Sequence, residues 1–169
     1  APDCVRASIE ASIALPPAQI HGYTPASGLP WVRERLADSL CRRFGDDAAT
    51  AADLYLTCGA AASISISLHA VTNPGDEVIV IAPYFPEYRV WIETCDATCV
   101  EVMADANTFQ VDTAAVAAAV TERTKAVIVN SPNNPVGTVY SRQNLEALAE
   151  TLREREAALG TQIYLIADE

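Results

Sequence analysis

The chain has 169 residues, half of them apolar and a fifth charged, with a formal net charge of −11. Only one of its eleven basic residues is a lysine, Lys125, and this balance argues against the clustered cations that nucleic acids and anionic membranes require. No apolar run reaches the length of a membrane span, and the amino terminus shows no basic-then-apolar signal.

In chain order, residues 3–15 carry apolar side chains at helical spacing (Val5, Ile9, Ile13), with Asp3 placed as the N-cap. Pro16-Pro17 ends that helix. Residues 19–30 read as a loop containing His21-Gly22-Tyr23-Thr24-Pro25 and Ser27-Gly28. A helix is predicted over residues 29–44, with Pro30 in its first turn and Gly45 as its stop. Val32, Leu36, Leu40 and Phe44 form its apolar face, and Arg33, Arg35, Arg42 and Arg43 its solvated face.

From there the period alternates. Strand-like runs at 53–57, 77–82, 98–102, 125–130 and 162–168 alternate with helix-like runs at 60–71, 86–94, 112–120 and 141–159. In the last helix Leu145, Leu148, Leu152 and Leu159 make one stripe behind an N-cap at Ser141. Val78–Ile81 and Val127–Val129 are continuous β-branched runs, as in strands covered on both faces. Alternating β and α predicts an α/β fold with a mainly parallel sheet.

Five scattered cysteines (Cys4, Cys41, Cys58, Cys95, Cys99) fit free thiols in a reducing, cytoplasmic setting better than a disulfide framework. Cys95 and Cys99 are not spaced as zinc ligands, and His21 and His69 have no partner pattern, so no metal site is expected.

Ligands of an open parallel sheet sit beyond the carboxyl ends of its strands. Four features follow strands here: Cys58-Gly59-Ala60-Ala61 opening a helix, Pro83-Tyr84-Phe85-Pro86, the Pro/Asn-rich stretch 130–138, and Asp168. Gly59 permits a tight turn, and the unpaired first amides of a helix, at Ala60 and Ala61, suit a phosphate. Phe85 offers a flat face, Asn134 an amide donor, and Asp168 an acid that needs a cation or donors where it is buried. Each has a plainer reading: a structural glycine, a core aromatic, a turn-capping asparagine. Together they describe a site for a phosphorylated pyridine, as in pyridoxal phosphate (PLP).

At these residues the chain resembles the class I/II, fold-type I aminotransferases. The resemblance rests on Tyr23-Thr24-Pro25 with Gly28-Leu29-Pro30 and Arg33, on Gly59-Ala60-Ala61, and on Pro74-Gly75-Asp76-Glu77-Val78 with Pro83-Tyr84-Phe85. It continues through Asn130-Ser131-Pro132-Asn133-Asn134-Pro135-Val136-Gly137 and Ala167-Asp168-Glu169. It implies a three-layer α-β-α large domain, with residues 1–25 leading in and 26–169 forming its front half. It implies a PLP-dependent transfer of an amino group between an amino acid and a 2-oxo acid by a homodimer. By resemblance, Ala60 and Ala61 bind the phosphate beside Gly59, Phe85 stacks on the ring and Asn134 bonds the ring's phenolic oxygen. Asp168 pairs with the ring nitrogen, and Tyr23 reaches the partner subunit's cofactor phosphate.

The chain also departs from the family pattern. The catalytic lysine is absent, because Lys125 precedes its strand and lies at the wrong end of the sheet. The distal substrate-binding arginine, the tyrosine just after Asp168-Glu169 and two later strands are missing as well. The 169 residues are therefore expected to be an incomplete domain, inactive alone. Other chemistries on the same fold stay open: a carbon–sulfur lyase, a cyclopropane-forming synthase, a decarboxylase, or a non-enzymatic regulatory domain.

Overall fold

The computed structural model describes residues 2–169 and divides into two compact units, Ala1–Thr57 and Cys58–Glu169. The second unit holds a four-stranded, all-parallel sheet: β1 (Glu77–Ala82), β2 (Thr98–Met103), β3 (Thr124–Asn130) and β4 (Tyr164–Asp168), in the order β2-β1-β3-β4. Helices α4 (Ala60–Val71), α5 (Glu87–Glu93), α6 (Thr113–Ala119) and α7 (Arg142–Leu159) make the connections.

Strand alternation divides the core into two layers. Ile79, Ile81, Val127 and Val129 face Val116 of α6 and Leu148 and Leu152 of α7. Val78, Val80, Ala126 and Ile128 face Ile64 and Leu68 of α4 and Tyr88 and Ile92 of α5. Every residue of β1 is buried, which explains its unbroken apolar run. Fully burying each of these Val or Ile side chains contributes about 1.5–3 kcal/mol. At the amino edge of the sheet, the buried Glu77 carboxylate accepts from Arg123 at 2.7 Å and from the Thr121 hydroxyl at 2.5 Å, pinning β1 to the approach to β3. The Ser141 hydroxyl accepts from the Asn144 amide at 3.1 Å, the N-cap expected there.

The first unit holds α1 (Asp3–Ile13), α2 (Pro17–Ile20), α3 (Pro30–Phe44) and a 3-10 turn, Ala51–Asp53. Several expectations change here. Asp3 is the first residue of α1 and not its cap; Pro2 occupies that position without a side-chain bond. Pro17 does not merely stop α1 but starts α2, where its missing N–H costs nothing. In α3 the buried residue is Ala37, while Leu36 and Phe44 are exposed. Arg33 lies on the half-buried side and donates to the Leu54 carbonyl at 3.4 Å.

The expected strand at 53–57 does not form. Leu54 has extended backbone (φ −107°, ψ 132°), but no described strand pairs with it, and a strand exists only through its ladder. Among the described residues no helix is long and apolar enough to cross a membrane.

Candidate active site

The carboxyl ends of three strands are bound into one edge. Asn130, the last residue of β3, stands in register with Asp168, the last of β4. The Asn130 side-chain amide donates to the Asp168 carbonyl at 2.9 Å, and the Ser131 amide donates to the same oxygen at 3.2 Å. The loop leaving β1 joins them where Asn133 Nδ2 donates to the Pro83 carbonyl at 3.3 Å. Loops 83–86 and 131–140 and the Asp168 carboxylate therefore form one rim.

Loop 131–140 is built by its own polar groups. Asn133 is 7% exposed; its backbone closes onto Thr138 (2.8 Å) and Gly137 (2.6 Å), and its Oδ1 accepts from Val136 at 3.2 Å. Gly137 has φ +80°, a conformation a side chain would strain. Asn130 Oδ1 accepts from the Asn134 backbone amide at 2.6 Å, and Ser131 Oγ accepts from the Tyr140 amide at 3.0 Å. Tyr140 is buried, and burial pushes its phenol pKa up while a hydrogen bond with Asn133 opposes that. Two asparagines are thus spent on the loop. The third, Asn134, is exposed, and its side-chain amide has no hydrogen-bond partner among the described residues.

Asp168 is half-buried and not left bare. Its Oδ2 accepts from the hydroxyl of Tyr88, a residue the sequence reading did not single out. Phe85, half-buried, meets the Tyr88 ring edge-on (centroids 5.8 Å, 76°) and tilts against Trp91 at 6.0 Å. Phe85 is therefore engaged in the aromatic cluster behind the acid.

Gly59 is the N-cap of α4, with φ +87° and open space where a Cβ would stand. Its requirement is the backbone conformation, which only glycine takes cheaply. The helix begins when the Ser63 amide bonds the Gly59 carbonyl at 3.3 Å, so the amides of Ala60 and Ala61 lie in the turn without intrahelical acceptors. Both residues are exposed. The far end of α4 leads through the Asn73–Asp76 turn to the amino end of β1, which puts its N-terminus toward the carboxyl edge of the sheet. α4 also packs against β4 and α5.

Tyr23 lies in the first unit, fully exposed. Lys125 does not precede its strand, as expected from the sequence, but is the second residue of β3, about 16 Å along the strand from Asn130 and still at the amino end.

The groups these residues leave unspent suit a phosphorylated pyridine: two helix-N-terminal amides for an anion, one free carboxamide and one carboxylate oxygen, beside the aromatic ring of Phe85. Sequence reasoning missed Tyr88 and the role of Asn133. Tyr88 is 80 positions from its acceptor, and no local pattern signals such a pair.

Comparison with known proteins points the same way. The family model for class I and II aminotransferases matches residues 1–160. The aspartate/prephenate aminotransferase of Thermus thermophilus is 38% identical over 148 residues, which cover 87% of this chain and 37% of that protein. The crystal structure of an aminotransferase from Eubacterium rectale superposes with a TM-score of 0.96 at 42% identity, covering all of this chain and 43% of its own. The Thermus thermophilus aspartate aminotransferase with maleate superposes with a TM-score of 0.81 at 36% identity, over 95% of this chain and 41% of its own. The chain thus spans about two fifths of the length of these relatives.

Proposed function

Because the chain belongs to the class I and II aminotransferase family, whose members use PLP, we propose that it is the front part of the cofactor-binding domain of a PLP-dependent aminotransferase. In this reading residues 1–25 lead into the domain and 26–169 form its first half. The remaining strands, the cofactor-bearing lysine and a small domain lie outside these residues. The complete protein is a cytoplasmic homodimer that moves an amino group between an amino acid and a 2-oxo acid. The observation that carries this is the carboxyl-edge rim, where register places Asp168 beside the loop that presents Asn134.

Bound there, PLP would supply a ring that delocalises the electron pair left when an amino acid loses its α-proton. The chain's own residues hold and tune it. The amides of Ala60 and Ala61, with the positive end of the α4 dipole, bind phosphate oxygens. Gly59 lets the backbone approach them. Asn134 donates to the phenolic oxygen, and Phe85 covers one ring face. Asp168 accepts a hydrogen bond from the ring nitrogen and keeps it protonated. Such a bond to a charged group contributes about 1.5–3 kcal/mol before burial strengthens it. Tyr23 reaches across the dimer to the partner subunit's cofactor phosphate.

Lys125, at the amino end of β3, takes no part. The 169 residues alone are therefore inactive.

Asp168→Ala in the full-length protein tests the assignment. The expected result is a fall in kcat of at least about a hundredfold, the upper range of one charged hydrogen bond. A kcat near that of the wild type would overturn it.

A further inference from the structure

The cluster behind Asp168 fixes one hydroxyl in place. The Tyr88 ring is 2% exposed. Tyr84 stacks nearly parallel to it (6.4 Å, 9°), Phe85 meets it edge-on, and Trp91 tilts against it at 5.9 Å. Three aromatic neighbours pack around the buried ring, and close packing of this kind restricts its orientation. Its hydroxyl then points at a single acceptor, Oδ2 of Asp168.

We propose that Tyr88 is a positioning residue for Asp168: its hydroxyl holds one carboxylate oxygen, so that the other is fixed as the acceptor for the protonated ring nitrogen of the cofactor. This rests on the reading of Asp168 given above. A hydrogen bond donated to the charged form favours carboxylate over carboxylic acid. Without it, the proton shared between Asp168 and the ring nitrogen moves toward the carboxylate, and the carboxyl group is free to turn. Burial and the neighbouring carboxylate both push the Tyr88 phenol pKa up, so the hydroxyl keeps its proton and remains a donor at working pH.

Tyr84 supplies an internal control. Its ring stacks on Tyr88, but its own hydroxyl donates to Glu101, which Arg89 also grips at 2.5 Å. It supports the packing without touching Asp168.

The experiment uses the full-length protein loaded with PLP labelled with 15N at the ring nitrogen. The 15N resonance is followed between pH 6 and 9 alongside the equilibrium Kd for PLP, with near-ultraviolet circular dichroism reporting the aromatic cluster. Asp168→Asn should move the resonance to the unprotonated position. Tyr88→Phe should move it part of the way in the same direction and raise Kd by roughly tenfold to a hundredfold, the range of one hydrogen bond to a charged group. Tyr84→Phe should leave both at wild type.

A wild-type resonance and Kd in Tyr88→Phe, with Asp168→Asn shifted, overturns the role of Tyr88 alone. No shift in Asp168→Asn overturns the reading of Asp168 and this inference with it. Equal shifts in Tyr84→Phe and Tyr88→Phe assign the effect to ring packing and also overturn it. If Tyr88→Phe loses its dichroism, 3-fluorotyrosine at position 88 replaces it. Its more acidic hydroxyl is the stronger donor and should move the resonance the opposite way, and no movement overturns the proposal.

Discussion

Asn133 and Asn134 are adjacent and chemically identical, yet the fold uses them oppositely. Asn133 is buried and bonded to Pro83, Val136, Gly137 and Thr138, so it ties the loop after β3 to the loop after β1. Asn134 is exposed and offers its amide outward. Asn133→Ala would leave the Pro83 carbonyl and the Val136 amide short of a partner, costing about 1–3 kcal/mol. Asn134→Ala should stay within about 0.5 kcal/mol of wild type, as surface substitutions do, and weaken PLP instead. Denaturant melts with and without PLP separate the two, and a stability loss confined to Asn134→Ala would reverse the assignment.

The sequence alone could point to Asn134 only through the family resemblance. Composition made both asparagines turn residues, and burial is what distinguishes them. Asp168 shows the same boundary of what local pattern carries. Its place at the end of an apolar run was legible, and so was its need for a donor, but the identity of that donor was not.

Among the elements, those with strong internal period emerged as read. β1 and β3 are the buried β-branched runs, and α7 runs from its serine cap to Gly160 with Leu148 and Leu152 inside. The segment 53–57 had the composition of a strand but not a neighbour, and pairing is not written in a single segment. α1 has the period of an amphipathic helix, yet none of its residues is buried; Val5, Ile9 and Ile13 are exposed. Periodicity marks a face that can be covered, and does not say whether it is. Leu148→Ala should therefore destabilise by about 2–5 kcal/mol, because Leu148 is fully buried between α7 and the sheet. Ile9→Ala, at a 55% exposed position, should cost far less, within about 0.5 kcal/mol. Equilibrium unfolding of the two variants checks this, and equal losses would show that α1 is covered in the native protein.

At the scale of the whole molecule, the proposed function has the chain carry the strand edge of a PLP site and leaves the lysine to the rest of the protein. The alternation of elements fixed which side of the sheet bears chemistry, since a parallel sheet gathers its loops at one edge. The choice of reaction is less legible, because Gly59, Phe85, Asn134 and Asp168, in the roles proposed for them, would hold a cofactor and not decide the fate of the substrate. Amino-group transfer is most directly tested by following the nitrogen. Full-length protein loaded with PLP is incubated with a 15N-labelled amino acid and an unlabelled 2-oxo acid, across a panel of pairs. The expected result is 15N in the amino acid formed from the 2-oxo acid, at a rate that falls at least about a hundredfold in Asp168→Ala. Release of labelled ammonia with no label in a new amino acid, for every pair, would contradict it.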